Sequence, residues 1–86
     1  MAIVTLRYWA AAKEAAGVAE ETVTADTLAG ALEAAGGQAG PDARLREVLA
    51  RSSFLVDGRP VGLRVPEHVA VTDGAVIEVL PPFAGG

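Results

Sequence analysis

The sequence contains no cysteine, which excludes a disulfide framework, a cysteine-based zinc site and a thiol nucleophile. Aromatic residues make up only 5% of the 86 residues, so the core is expected to be compact and aliphatic. No apolar run approaches the roughly 20 residues of a membrane span, and no basic leader precedes the first strand pattern. We therefore expect a cytoplasmic protein without membrane contact, in which any sulfur chemistry takes place on a group other than a thiol.

Basic residues are few and scattered, with 7 Lys and Arg against 11 Asp and Glu and a net charge of −4. The lack of a Lys/Arg cluster argues against nucleic-acid binding, and the negative net charge favours a basic protein partner. His68 is the only histidine and is interpreted as a loop residue, and no Gly-rich phosphate loop follows a strand. The sequence therefore predicts no metal site, no bound cofactor and no catalytic constellation of its own.

The first predicted element is a strand over residues 3–9, whose alternation places Val4, Leu6 and Tyr8 on one face and Thr5, Arg7 and Trp9 on the other. The later patterns predict three helices: one over 10–16 closed by Gly17, one over 28–35 capped by Asp26 or Thr27, and one over 42–51. They also predict strands over 20–24, 54–56 and 76–80 and an edge strand that begins at Pro60. Turns are predicted at Asp57-Gly58 and at Asp73-Gly74. This order predicts an α+β domain over residues 1–80, with one sheet on one principal helix.

Residues 81–86 form a distinct segment, Pro81-Pro82-Phe83-Ala84-Gly85-Gly86. The prolines favour an extended path, and six residues at roughly 3.3 Å each could reach about 20 Å from the domain. Two glycines make the narrowest tail that a polypeptide can present, which suits a tight channel. We interpret this segment as a functional C-terminal tail, although Gly-rich termini are often only frayed ends.

The segments 6–17, Thr27-Leu28 and 72–86 resemble the small subunit of molybdopterin synthase (MoaD) in the MoaD/ThiS family of ubiquitin-like sulfur carriers. The resemblance runs essentially end to end, and its most specific part is the terminal block. It implies a β-grasp (ubiquitin-like) fold with a mixed sheet and an extended C-terminal tail. The chain departs from the family in a longer stretch over residues 63–71 and in Tyr8-Trp9, where smaller or Phe-type residues are common.

The resemblance implies that Gly86, preceded by Gly85, is adenylated by an ATP-dependent adenylyltransferase of the ubiquitin-activating type. A persulfide donor would then convert the acyl adenylate to a thiocarboxylate. The tail would enter the large subunit of molybdopterin synthase, in an expected heterotetramer, and donate sulfur to a pterin precursor in molybdenum cofactor biosynthesis. The chain would act as a sulfur-donating subunit, with ATP used by the partner.

The face of the predicted strands on which Trp9 and Leu80 lie suggests where such partners dock. Both apolar residues fall on the polar face of their strands, so we expect both to be exposed and close together, with Phe83 just beyond. Together with the tail residues Pro81, Pro82, Phe83 and Ala84 they form the predicted partner-binding surface, which Arg7 and Arg59 could flank. The alternatives are a carrier for thiazole or cysteine biosynthesis, a ubiquitin-like modifier joined to lysines, and a plain interaction module.

Overall fold

The computed structural model describes residues 1–37 and 40–82 of the chain. The strands are β1 (Ala2–Tyr8), β2 (Glu20–Ala25), β3 (Ser53–Val56), β4 (Arg59–Pro60) and β5 (Val76–Leu80). The helices are α1 (Ala10–Ala16), α2 (Leu28–Glu33) and α3 (Ala43–Arg51), and one 3-10 turn covers Pro66–His68. Among the described residues, no helix is long and apolar enough to cross a membrane.

The strands form a five-stranded sheet in the order β2-β1-β5-β3-β4. The two central strands β1 and β5 run parallel, although they come from opposite ends of the chain, and every other pair is antiparallel. The N-terminal and C-terminal strands therefore lie side by side in the interior of the sheet. A parallel pair needs a long crossover, which the chain between them supplies.

The core lies against one face of this sheet. On β1 the inward residues Val4, Leu6 and Tyr8 are buried, which confirms the alternation predicted from the sequence. The same cluster includes strand residues Val23, Ala25, Ile77 and Val79 and helix residues Ala12, Leu28, Ala31, Leu45, Val48 and Leu49. The three helices therefore cover one face, and among the described residues no helix covers the opposite face of the sheet.

Local signals explain where the elements begin and end. The Thr27 side chain accepts a hydrogen bond from the N–H of Gly30 and caps α2, while Asp42 caps α3 through the N–H of Leu45. The helix predicted over 28–35 ends at Glu33, because Ala34 and Ala35 tighten into a turn that leads into Gly36 at φ 86°. Asp57-Gly58, at φ 51° and 81°, makes the predicted hairpin turn between β3 and β4.

The observed architecture is the predicted α+β, β-grasp class with a mixed sheet. The helical layer is shared among three short helices, of which α3 is the longest with 9 residues. The edge strand begins at Arg59, one residue before the predicted Pro60, and is two residues long. The division of the chain into a domain over 1–80 and a tail over 81–86 stays a prediction.

Candidate functional site

The parallel pairing of β1 and β5 brings their C-terminal ends to the same edge of the sheet. Tyr8 lies opposite Val79, and the backbone N–H of Trp9 donates to the carbonyl of Val79 at 3.2 Å. The next residue along β5 is Leu80, after which the chain enters Pro81 and Pro82. Trp9 therefore lies level with the root of the predicted tail, and we call this edge the tail end of the sheet.

Trp9 is held in place although it is largely exposed. It retains 47% of its accessible surface, as the sequence predicted, and its indole N–H donates to Glu78 Oε1 at 3.2 Å. The following residue, Ala10, has φ 48°, a conformation that costs a non-glycine residue about 1–2 kcal/mol. This sharp turn leads the chain directly from β1 into α1. The position of the indole is therefore set by the backbone at Trp9 and Ala10 and by the hydrogen bond to the Glu78 side chain.

Leu80 is only partly exposed, which corrects the expectation that it stands in solvent like Trp9. Because β5 is a central strand, Leu80 has a neighbour on each side: Ser53 of β3 is its register partner, and β1 ends on the other side. Strand alternation gives the face of a residue, but its burial also depends on the flanking strands. The outer face therefore offers Trp9 as its prominent aromatic group and Leu80 as a flatter surface beside it.

Charged residues form a row across the outer face, next to Trp9. The Arg7 guanidinium lies 3.4 Å from Glu20 Oε2, and Arg7 is also the register partner of Glu78. Glu78 is thus the cross-strand neighbour of Arg7 and the acceptor of the Trp9 indole N–H. This exposed row adds little to stability, since surface ion pairs contribute about 0–1 kcal/mol.

An open groove of about 950 Å³ is lined by residues of α1, by the end of β1 and by the chain that leads from α1 into β2. Trp9 forms one wall, Lys13 and Val18 contribute to the other parts, and Pro82 at the root of the tail lies at its border. Val18 is 46% exposed and lines the same groove as Trp9. The indole of Trp9 therefore belongs to two surfaces at once, the outer face of the sheet and this groove.

The inner side of the tail end is anchored by a buried tyrosine. Tyr8 is 2% exposed, and its hydroxyl donates to Glu21 Oε2 at 2.6 Å. The same carboxylate oxygen accepts the backbone N–H of Gly36 at 3.0 Å, which ties β1 and β2 to the chain that follows α2. Burial raises the pKa of the Tyr8 hydroxyl far above its usual value, and the hydrogen bond and charge of Glu21 raise it further.

The other predicted site residues fall into two groups. Those within the described residues are Pro81, which is half-buried, Pro82, which is exposed, and Arg59, which is exposed on β4. His68, interpreted from the sequence as a loop residue, is exposed in the 3-10 turn. The predicted site residues Phe83, Ala84, Gly85 and Gly86 lie outside the described residues. Within residues 1–37 and 40–82, no group of three or more His, Asp or Glu side chains is arranged to hold a metal ion.

Sequence reasoning missed Glu78 and Val18 as neighbours of Trp9. The signal for Val18 was the antiparallel pairing of β1 and β2, since continuing the register past Tyr8 and Ala19 brings Val18 to the side of Trp9. Glu78 could be assigned to the outer face by alternation, but its contact with the indole depends on the parallel register of β1 and β5. The sequence pattern alone does not specify that register.

A comparison with protein families matches residues 6–86 to the ThiS family. The chain is similar to the small archaeal modifier protein 1 (SAMP1) from Methanosarcina acetivorans, at 22% identity and a TM-score of 0.81, over 100% of this chain and 98% of that chain. It is also similar to the putative molybdopterin converting factor, subunit 1, from Pyrococcus furiosus, at 22% identity and a TM-score of 0.72, over 96% and 100% of the two chains.

A third similar structure comes from the protein–protein complex of subunits 1 and 2 of the molybdopterin-converting factor from Helicobacter pylori. It matches at 22% identity and a TM-score of 0.66, over 98% of this chain and 99% of that chain. None of the curated proteins matches significantly. At these identities the structural likenesses establish the fold, and they agree with the β-grasp arrangement described above.

Proposed function

We propose a role in molybdenum cofactor biosynthesis for this chain, which belongs to the ThiS family of ubiquitin-like sulfur carriers. In this role the chain is the small subunit of molybdopterin synthase, and the carboxylate of Gly86 carries the sulfur. The observation that supports the proposal best is the family match, which extends through residue 86 and so includes Gly85 and Gly86. The parallel β1–β5 pair, which places the root of the tail beside Trp9, agrees with it.

The chemistry requires activation, because a carboxylate is a poor electrophile. An adenylyltransferase of the ubiquitin-activating type uses ATP to join AMP to Gly86, which supplies a leaving group. A persulfide sulfur then displaces AMP from the carbonyl carbon, and cleavage of the S–S bond by a thiol leaves the thiocarboxylate. This chain provides no cysteine for these steps, so the persulfide that donates sulfur and the thiol that reduces the S–S bond both come from other molecules.

The chain itself contributes reach and fit. Two glycines at the end remove the Cβ atoms that would widen the tail, so that Gly86 enters the narrow active site of the large subunit. The expected assembly is a heterotetramer of two small and two large subunits. For the Helicobacter pylori relative, a complex of subunits 1 and 2 has been solved, which supports a large-subunit partner for this chain.

The partner surface of this chain centres on Trp9, with Leu80, Pro81 and Pro82 beside it and Phe83 and Ala84 further along the tail. Trp9 suits an anchor, because it combines a large exposed area with a position already restrained by Glu78. The same surface serves the adenylating enzyme and the large subunit in turn, since both need access to Gly86. The acids and bases of sulfur transfer belong to the partners.

The experiment that tests this function is intact-mass analysis after incubation with the cognate adenylating enzyme, ATP and a sulfur donor. We expect one terminal oxygen to be exchanged for sulfur, and the change to map to the C-terminal peptide. Two matched variants serve as controls: deletion of Gly86 and Gly85→Val should block sulfur transfer to the pterin precursor, while the folded domain keeps its stability within about ±0.5 kcal/mol.

Two results would contradict the proposal. One is the absence of any mass change with an enzyme that is active on a related carrier, and the other is full sulfur transfer by the Gly86 deletion. If thiocarboxylate forms but the pterin precursor accepts no sulfur, the acceptor lies in thiazole or cysteine biosynthesis instead. Incubation with each candidate acceptor system distinguishes these pathways.

A second candidate function is that of a ubiquitin-like modifier, in which Gly86 is joined to lysines of other proteins. The likeness to SAMP1, at a TM-score of 0.81, favours this candidate, although that likeness establishes only the fold. Product analysis separates the two functions. Stable isopeptide conjugates that require Gly86 support a modifier, whereas a free thiocarboxylate without conjugates supports a carrier.

A further inference from the structure

Leu63 is the most exposed of the large hydrophobic residues among those that the structure describes, with a relative accessibility of 103%. It stands on a short turn over residues 61–64, which we call the Leu63 turn. An isolated exposed leucine is common on protein surfaces and has no meaning by itself. Leu63 differs from such a leucine in two respects: its turn is fixed to the domain by hydrogen bonds, and the turn lies near the root of the tail.

The Leu63 turn is fixed to the domain at its base. Val61 is 5% exposed, and its backbone N–H donates to the carbonyl of Phe54 at 3.0 Å. The Arg64 side chain folds back over the turn, with Nε donating to the carbonyl of Val61 at 3.2 Å and Nη2 to that of Pro60 at 3.5 Å. Leu63 is therefore presented by a braced turn, so burying it in a complex restricts little additional motion.

The strand register places the Leu63 turn at the tail end of the sheet. Val61 lies beside Phe54, whose partner on β5 is Val79, and Val79 in turn is paired with Tyr8. The following residue, Gly62, therefore falls level with Leu80 and Trp9. Since neighbouring strands are about 4.8 Å apart, β4 lies roughly 10 Å from β5, across β3. A protein that receives the tail is within reach of Leu63.

The same edge of the sheet disfavours a different kind of contact. β4 is only two residues long and contains Pro60, which lacks a backbone N–H, so a strand from another chain has little to pair with here. A second copy of this chain would also bring its own net charge of −4 against this one. Side-chain insertion by Leu63 into a different protein is the contact that remains.

We propose that the Leu63 turn is a second docking contact for the large subunit of molybdopterin synthase, the protein in which the tail donates its sulfur. Leu63 enters an apolar pocket of that protein, and a carboxylate at the rim of the pocket pairs with Arg64. Arg64 has no carboxylate within 4.0 Å among the described residues, and its guanidinium keeps N–H groups beyond the two that brace the turn. The inference rests on the proposed function, because it takes the tail-receiving partner as given.

The test compares Leu63→Ala with Ile3→Ala in binding to the large subunit of molybdopterin synthase from the same organism, measured by calorimetry with the full chain. The two changes remove side chains of equal carbon number, and Ile3 is also exposed, at 58%, but lies at the opposite end of β1. We expect the Kd to rise at least tenfold for Leu63→Ala and to stay within twofold for Ile3→Ala. The melting temperature of both variants should match that of the unmodified protein, because neither side chain is in the core.

Two results would overturn the inference. The first is an unchanged Kd for the Leu63→Ala variant. If deletion of Gly86 in a separate variant still blocks sulfur transfer, that result contradicts the inference about Leu63 and leaves the proposed function intact. The second is self-association of the unmodified chain in sedimentation that Leu63→Ala abolishes, which would assign the turn to a second copy. Failure of the proposed function shows separately, as sulfur transfer that persists without Gly86.

Discussion

Trp9 and Val4 belong to the same stretch of chain but face opposite sides of the sheet. Val4 is 1% exposed and packs in the core, whereas Trp9 is 47% exposed and its indole N–H donates to Glu78. A single alternation thus separates a residue that stabilises the domain from one that is available to partners. The two residues provide a matched test of that separation.

Trp9→Ala is expected to weaken binding to the adenylating enzyme and to the large subunit by at least about 1 to 2 kcal/mol, because an aromatic anchor is removed. Its cost in folding stability should be smaller than about 1 kcal/mol, because the indole is half exposed. Val4→Ala should do the reverse, with a loss of about 2 kcal/mol in unfolding free energy from the cavity and unchanged affinity of the folded protein. Calorimetric binding and urea unfolding measure the two quantities.

If Trp9→Ala unfolds the domain while the remaining folded protein binds normally, then Trp9 is a core residue and the docking surface lies elsewhere. A Val4→Ala protein that is stable but fails to bind would contradict the assignment of faces in the same way.

At the scale of elements, two glycines in the connection that follows α2, Gly36 and Gly37, have constrained backbone angles. Gly36 and Gly37 both have a positive φ, 86° and 87°, which favours glycine. They differ in their surroundings: a Cβ on Gly36 would lie 2.8 Å from the carbonyl oxygen of Gly40, whereas a Cβ on Gly37 would meet nothing within 4 Å. Gly36 also donates its N–H to Glu21, so it joins this connection to β2.

Gly37→Ala is expected to reduce the free energy of unfolding by about 1 kcal/mol, which reflects backbone strain alone. Gly36→Ala should cost at least about 1 kcal/mol more, because backbone atoms must move to accommodate the methyl group. Urea unfolding of the two variants gives the difference directly. Equal losses for the two changes would mean that the close approach of Gly36 to Gly40 has no energetic weight.

At the scale of the whole molecule, the hydrogen bonds of Tyr8 and Gly36 to Glu21 connect β1, the edge strand β2 and the chain that follows α2. Because burial raises the pKa of Tyr8 above the value of 10.0 in an unfolded chain, the folded protein keeps the phenol proton at a pH where the unfolded chain loses it. The stability that this proton contributes is fully present below about pH 10 and is lost as the pH rises toward the folded-state pKa.

Tyr8→Phe is therefore expected to lower the unfolding free energy by about 2 kcal/mol near neutral pH, where a hydrogen bond to a carboxylate is lost. Above about pH 10 the unmodified protein should lose stability by up to about 1.4 kcal/mol per pH unit from this group, while Tyr8→Phe lacks that loss. The difference between the two proteins should shrink with rising pH in urea unfolding.

Tyr8 is the only tyrosine, so phenolate absorbance reports its ionisation without overlap from other residues. An absorbance titration of the folded protein centred near pH 10 would contradict the raised pKa. Glu21→Gln provides the control, since it keeps a hydrogen-bond acceptor for Tyr8 and removes the charge.

The sequence by itself determined the faces of the strands and the turns, because these depend on local chemistry. Alternation at Val4, Leu6 and Tyr8 is readable wherever one face of a strand is buried. Asp57-Gly58 makes its turn with residues that tolerate a positive φ. For the helix caps the sequence left Asp26 or Thr27 open and placed Asp42 inside its helix, whereas the structure has Thr27 and Asp42 as the caps. The nature of the terminal Gly85-Gly86 also belongs to the sequence alone, since these residues lie outside the described structure.

Tertiary structure decided which residues meet at the tail end of the sheet. The contact of Trp9 with Glu78 and the partial burial of Leu80 both depend on β5 lying between β1 and β3, an order that joins segments some 70 residues apart. The position of Leu63 level with the root of the tail depends on two successive registers, β3–β4 and β3–β5. Long-range pairing is set by the free energy of packing the whole core, which no local pattern in the chain expresses.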